Sequence, residues 1–301
     1  MRVLVSGARG LIGSALLPML RAEGHEITVL TRRASRPGEV GWDPATGRLE
    51  AGALEGFDAI VHLAGEPIGV RWTPARKQSI RASRVAGTRL LAERLAGLAR
   101  PPRVLVSVSA IGWYGDRGEE LLDETSPPGT GFLPWVCREW EAAALPAAAR
   151  GIRVVHPRLG LVLTPLGGSL ARMLPVYRLG LGGRLGNGRA WWSWVALDDV
   201  VAVFRRALAD ERLAGPLNVV TPGAVTGGAF ARTLGRVLGR PALLPVPAVV
   251  LRVLFGEMAD GALLSSARVV PARLRAVGHE FRFPELEGAL RHLIDRSGEV
   301  A

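Results

Sequence analysis

Three glycines near the start of the chain, Gly7, Gly10 and Gly13, recur at every third position in the run Ser6-Gly7-Ala8-Arg9-Gly10-Leu11-Ile12-Gly13. Glycines so spaced, between an apolar strand and an amphipathic helix, suit the pyrophosphate of a dinucleotide. The first permits a tight turn, the second lets backbone amides approach the phosphates, and the third lets the helix lie against the sheet. The helix start adds free N–H groups and the positive end of its dipole. The expected contacts are Gly7, Arg9, Gly10, Leu11 and Ile12. After the next apolar run, an acid would bind a ribose 2′-hydroxyl. Thr31 stands there instead, followed by Arg32 and Arg33. Guanidinium forks suit a 2′-phosphate, so the cofactor expected is NADP. Arginine is also the default base of this chain, whose only lysine is Lys77. The missing acid therefore carries more of the argument.

These groups need strands to carry them. Residues 3–5 read as a buried strand, 11–23 as a helix with Leu16, Leu17 and Leu20 on one face, and 27–30 as a second strand. Residues 40–48 read as a turn-rich loop. The run 57–63 is nearly all apolar, as a central parallel strand should be, and ends in Ala64, Gly65 and Glu66. Ligands lie beyond the carboxyl ends of such strands, so these three should face the cofactor. His62, one step earlier, should be packed. A helix follows at 76–98, a strand at 103–109 carrying Ser107 and Ser109, a helix at 132–150, and a strand from 151 to 163. Strands and helices alternating at this spacing predict a doubly wound α/β parallel sheet.

From residue 164 glycine and proline become frequent. Residues 191–195 read as an aromatic strand, with Asp198 and Asp199 capping a helix over 200–209. A strand at 217–220, a helix from Thr226 to Leu238 and two or three further helices complete the chain. The expected division is a nucleotide-binding core, 1–163, and a smaller C-terminal substrate lobe, 164–301, with about 190–222 returning to the core.

With 301 residues, 48% of them hydrophobic, the chain can bury a large core. It has no apolar run of 18 residues and no signal peptide, so a cytoplasmic location without membrane contact is expected. One cysteine and five scattered histidines predict neither a disulfide framework nor a metal site. The net charge of +11 is spread along the chain without a basic tail, so no nucleic-acid partner is expected.

Several stretches together resemble the extended or atypical short-chain dehydrogenase/reductases of the NAD-dependent epimerase/dehydratase superfamily. They are the glycine run, His62-Leu63-Ala64-Gly65, Ser83-Arg84-Val85-Ala86-Gly87-Thr88, Ser107-Val108-Ser109-Ala110, His156-Pro157-Arg158, 193–200 and Leu217-Asn218-Val219-Val220. Trp42-Asp43-Pro44, 109–115, 137–141 and the run from Glu257 to Phe281 resemble one subfamily, the "epimerase family protein" group, which includes cell-division-related members. The resemblance spans essentially the whole chain. It implies a Rossmann core with a C-terminal substrate lobe, and it carries over His156 as a residue near the nicotinamide.

Hydride-transfer enzymes of that superfamily use a Tyr-x-x-x-Lys dyad, in which lysine tunes the tyrosine that moves the proton. Neither Tyr114 nor Tyr177 has a lysine four residues on. Aligning Glu141 with the acid that usually follows places Cys137 at the lysine position and Leu133 at the tyrosine position. Three readings stay open. Ser109, Tyr114 or Cys137 could move a proton, against the plainer view of Cys137 as a small packed residue. The chain could bind NADP without chemistry, as a sensor or interaction protein linked to cell division. Or Arg158, Arg172, Arg178, Arg184 and Arg189 could hold an anionic or sugar-phosphate substrate for epimerase-like chemistry. Both a monomer and a homodimer remain open.

Overall fold

The apolar run behind Met1 lies at the middle of the sheet. In this computed structural model, which describes residues 1–298, it forms β1 (Arg2–Ser6), followed by α1 (Leu11–Ala22) and β2 (Glu26–Thr31). A hairpin, β3 (Glu39–Asp43) and β4 (Arg48–Leu49), precedes β5 (Ala59–His62), α2 (Pro74–Ala96), β6 (Val104–Ser107) and β7 (Ser109–Ala110). Next come β8 (Leu121–Leu122), α3 (Phe132–Ala142), α4 (Leu145–Ala149), β9 (Arg153–Leu159) and β10 (Leu161–Leu163). The main sheet runs β13-β9-β6-β5-β1-β2-β3-β4, where β13 is Gly215–Val219. Its pairs are parallel except β3 with β4, and β7 adds a parallel pair to β9.

Both faces of the sheet are covered. Val3 and Val5 pack with Leu16 and Leu20 of α1 and with Val203 and Phe204 of α6 (Leu197–Ala209). Leu4, between them, points the other way, to Leu91 and Leu95 of α2 and Ala147 of α4. This period of two, with both sets buried, is what a central parallel strand requires. Each aliphatic side chain so enclosed contributes about 1.5–3 kcal/mol. Strand order reverses between β1 and β5, the switch point where ligands bind in such sheets.

The C-terminal region adds α5 (Gly168–Arg178), β11 (Trp191–Trp192), β12 (Trp194–Ala196), β14 (Val225–Thr226), α7 (Gly227–Leu238) and α8 (Ala248–Phe255). It ends with β15 (Arg268–Val269), α9 (Ala272–Ala276) and α10 (Leu286–Gly298). A second core here gathers Leu170, Leu174, Trp194, Phe230, Leu234 and Leu290. Among the described residues, no helix is long and apolar enough to cross a membrane.

The structure corrects four local expectations. Residues 40–48 are not a loop: Trp42 is buried and pairs with Leu49 across the hairpin, whose turn is fixed by Asp43 and by Gly47 at φ 70°. The helix expected over 132–150 is broken, and Pro146 opens its second piece. The 191–195 strand splits at Ser193, whose Oγ donates to Ala267 O and accepts from Val269 N. Asp198 and Asp199 do not cap α6. The helix starts at Leu197, and buried Asp199 accepts from the backbone amides of Arg282 (2.7 Å) and Phe283 (3.2 Å) instead.

Candidate functional site

The turn after β1 is shaped by glycine where a side chain has no room. Gly7 has φ 70°, and a Cβ there would lie 2.7 Å from the Leu63 carbonyl carbon. A Cβ on Gly13 would lie 2.5 Å from Gly7 O, and one on Gly10 would lie 3.2 Å from that same oxygen. Gly7 thus lets the turn pass over the end of β5, and Gly13 lets α1 enter close beneath it. Helix α1 begins with Gly10 as N-cap, without a side-chain cap or an acid in its first turn. Its first amides have no helical partner. This is a cradle for an anion, and it fits the pyrophosphate expected there.

Beyond β2, Arg32 and Arg33 are exposed. Arg9 reaches Glu39 Oε1 at 3.3 Å, and Glu39 Oε2 accepts from the Ser35 amide at 2.8 Å. The sequence shows no carboxylate directly after β2, yet the parallel β3 brings one back. The Ser35 hydrogen bond holds the Glu39 carboxyl below its ordinary pKa, and Arg9 adds to the effect.

At the end of β5, Ala64, Gly65 and Glu66 lie against α2. The Glu66 amide donates to Ser83 Oγ (3.1 Å), and its carboxylate lies 3.8 Å from Arg76. His62 is packed, as its sequence context suggests. It shares a 2.6 Å hydrogen bond with Ser6 Oγ and meets Trp42 edge to face. Burial pushes its pKa down to about 4, so it is neutral at pH 7. Ser6, His62 and Ser107 lie side by side across β1, β5 and β6. Ser107 is fully buried, its Oγ has no hydrogen-bond partner among the described residues, and its carbonyl lies 3.3 Å from His156 Nδ1. His156 is itself buried, which lowers its pKa.

The three candidate proton movers do meet, around a buried ion pair. Ser109 Oγ donates to Glu141 Oε1 at 2.7 Å. Glu141 takes a two-point pair from Arg158, 2.8 Å from Nε and 2.9 Å from Nη2. The Arg158 side chain is only 3% exposed and stacks 3.9 Å from the Trp113 ring centre. Its Nη1 donates to Tyr114 Oη at 3.1 Å, and that hydroxyl lies 2.8 Å from both Asp123 O and Asn218 Oδ1. Burial raises the Tyr114 pKa, with Arg158 opposing. Cys137 is enclosed beside Ala110 O, and burial followed by the Glu141 charge pushes its thiol up to about 12.

This arrangement corrects the sequence picture. Cys137 does not open onto the cleft, and a thiol held so high yields almost no thiolate at neutral pH. Tyr114 is a fully enclosed crosslink between the segments that carry Arg158 and Asn218. Arg158 is matched by Glu141 and is not free for a substrate anion, whereas Arg178, Arg184 and Arg189 are exposed and Arg172 donates to Gly69 O. Glu141, which in the sequence served only to align its helix, is the hub of the cluster. Sequence reasoning also passed over Arg84 of α2, although the Ser83–Thr88 stretch had marked the segment.

A Rossmann-type sheet with a glycine cradle at its switch point defines a dinucleotide-binding class of protein. The family model of the NAD dependent epimerase/dehydratase family matches residues 3–219, and this chain belongs to that family. Residues 246–293 match a domain of unknown function (DUF1731). The "epimerase family protein MT2273" of Mycobacterium tuberculosis is 41% identical over 98% of each chain. The crystal structure of human epimerase family protein SDR39U1 (isoform 2) with NADPH superposes with a TM-score of 0.90 at 36% identity, covering 98% of this chain and 99% of that one. A nucleoside-diphosphate sugar epimerase from Corynebacterium glutamicum gives 0.81 at 36% identity, over 98% of this chain and 58% of its own.

Proposed function

We propose that this protein binds NADP(H) across the β1–β5 switch point and that its Ser109–Glu141–Arg158–Tyr114 cluster is a structural clamp and not a proton relay. The observation that carries the second half is the buried two-point Glu141–Arg158 pair. It occupies both carboxylate oxygens and ties down Ser109 and Tyr114. The cradle supports the first half. Gly7, Gly10 and the Leu11 and Ile12 amides would hold the pyrophosphate, and Arg9, Arg32 and Arg33 the 2′-phosphate. The Ala64–Glu66 loop would flank the nicotinamide half. Ser107 and His156 would lie beneath it. NADPH supplies a hydride when bound. Here the side chains that would pair that hydride with a proton are bonded to one another, and no lysine stands four residues beyond either tyrosine. The function is then read out by occupancy of the site, as in a sensor or interaction protein. The link to cell division belongs to this reading.

A second reading keeps catalysis. Ser109 Oγ stands at the carboxyl end of the sheet, hydrogen-bonded to the Glu141 carboxylate, and in this reading it would exchange that bond for one to a substrate oxygen. Exposed Arg178, Arg184 and Arg189 would then favour an anionic, sugar-phosphate-like substrate for an oxidoreductase or epimerase.

The test is titration of NADPH and NADH into wild type and an Arg32→Ala/Arg33→Ala double variant by calorimetry. A preference for NADPH of ~100-fold, lost in the double variant, is expected, each tenfold being ~1.4 kcal/mol. Equal or absent binding of the two would overturn the assignment. Slow NADPH oxidation on presenting sugar phosphates, abolished by Ser109→Ala, would move the conclusion to the second reading.

A further inference from the structure

Most of the apolar surface this fold leaves uncovered lies in one place. Of the fourteen large apolar side chains exposed among the described residues, nine come from residues 176–181 and 243–254. The two segments are neighbours. The Leu244 amide donates to Gly182 O at 3.2 Å and the Val246 amide to Arg184 O at 2.9 Å, so the chain after α5 and the chain before α8 run side by side. Helix α8 extends the patch. Val249, Val250, Val253 and Leu254, at the spacing of one helical face, are 41–68% exposed, and within α8 only Leu251 is buried. Leu243, at 80%, and Leu179, at 74%, stand out further. A monomer rarely gathers so many apolar side chains in one area unless something covers them.

The charge around this patch has one sign. The chain holds 27 acidic residues, yet none lies between positions 161 and 197 or between 212 and 256. Two arginines of these stretches are matched from outside them, Arg236 by Glu287 and Arg252 by Asp260. Arg178 and Arg184 bracket Leu179 and Leu181, and Arg240 precedes Leu243. These three are exposed, and among the described residues no carboxylate lies within ion-pair distance of them.

Shape and charge together choose the occupant. A second copy of the chain, seated on the patch about a two-fold axis, would set arginine against arginine. A partner protein would need a groove shaped to this ridge, whereas lipid tails conform to it. An apolar ridge with a cationic rim suits the headgroup layer of an anionic bilayer: the apolar side chains enter the acyl boundary, and each arginine is drawn to lipid phosphates. We infer that residues 176–184 and 240–254 form a docking face for a bilayer surface rich in anionic phospholipid. Helix α8, the first helix of the domain matched over 246–293, lies in the plane of that surface. No described helix can span a bilayer, and a surface contact requires none. The absence of membrane contact expected from the sequence rested on spanning alone. Arg71, in the loop after β5, donates to Val253 O at 2.7 Å, so the docking face adjoins the loop that follows the switch-point strand.

Sedimentation of the full chain with vesicles of phosphatidylcholine, and with vesicles of equimolar phosphatidylcholine and phosphatidylglycerol, tests this. Binding to the anionic vesicles should exceed binding to the neutral ones by ~10-fold or more at low salt and fall as salt rises. Leu243→Asp with Val253→Asp should weaken it ~100-fold, and Arg178→Gln with Arg184→Gln and Arg240→Gln ~10–100-fold. All five side chains are exposed, so unchanged thermal midpoints should show both variants folded. The lipid and salt dependence of wild type carries the test if a variant does not fold. Wild type that sediments with neither vesicle would overturn the inference, as would binding that the folded Leu243→Asp/Val253→Asp variant keeps. Equal binding to both vesicles, indifferent to salt, would overturn it too. A dimer seen by light scattering and abolished by Leu243→Asp/Val253→Asp, without vesicle binding, would give the face to a second copy instead. None of these readouts depends on NADPH, so the inference and the proposed function fail separately.

Discussion

At the turn between β1 and α1, backbone donors point outward with no side chain to cap them. Two strands and a helix away, at Ser109, Glu141, Arg158 and Tyr114, the polar side chains bond one another, with Ser109, Arg158 and Tyr114 buried and Glu141 largely covered. Both regions stand at carboxyl ends of the same parallel sheet, where ligands bind. The first is built from absences, of Cβ atoms and of acids, and can accept a ligand without rearranging. The second is built from matched charges and would have to break bonds before any of its members could serve a substrate. A binding site and a catalytic site ask for different things of the same fold, and this chain meets the first demand more fully.

The sharpest way to break the comparison is to remove one half of the ion pair. Glu141→Ala leaves Arg158 charged and enclosed, so a loss of ~3–5 kcal/mol in unfolding free energy is expected from denaturant titration. Adding Arg158→Met should recover much of it, because two apolar groups leave no charge unmatched. A single variant within about 1 kcal/mol of wild type would show that the cluster is open to water and free to act.

The next effect lies under the cradle. His62 has a folded pKa of about 4 against an ordinary value of 6.5. Between those values the unfolded chain binds more protons than the folded one, so stability rises with pH across that window. His62 thus contributes stability above about pH 6.5 that is lost as pH falls towards 4, on the order of 3 kcal/mol in all. Denaturant midpoints measured from pH 4 to 7 should slope accordingly, and His62→Gln should flatten the slope. An unchanged slope would mean that the histidine is charged in the fold, and that the strand ends beneath the nucleotide are wet.

Gly7→Ala is smaller but more specific. It places a Cβ at positive φ and against the Leu63 backbone, a strain on the order of 1–3 kcal/mol. Thermal denaturation should show that loss, and NADPH titration should show weaker binding as the turn shifts. Full NADPH affinity in this variant would mean that the cradle is not where the pyrophosphate lies.

The two regions were also unequally legible. The cradle can be read from sequence because strand, turn and helix are contiguous, and glycine spacing is a local property. The order of strands and helices follows from the same periodicity. The β3–β4 hairpin was hidden because two inward residues, Val40 and Trp42, are too short an alternation to separate from a turn. Glu141 and Arg158 are 17 positions apart on a helix and a strand, and their pairing depends on how α3 lies over β9. Read singly, one served only to align its helix and the other suggested a substrate anchor. Long-range charge matching has no periodicity in sequence.

The smallest expected effect bears on whether the closed cluster has any reactive member. Cys137 is the chain's only cysteine, so its labelling reads one site. With a thiol raised to about 12 by burial and then by Glu141, the thiolate fraction at pH 8 is on the order of one part in 10,000. An exposed thiol of ordinary pKa would be roughly a quarter ionised there. Alkylation by iodoacetamide should therefore follow unfolding of the chain and not the pH of the folded state, and Cys137→Ala should shift stability by about 1 kcal/mol. Rapid labelling of the folded protein at pH 7 would place Cys137 in the cleft beside Arg84, and would turn the enclosed region into a site with a nucleophile. Glu141→Ala sharpens the result: it removes the negative charge that helps hold the thiol protonated, so labelling should be faster in that variant than in wild type.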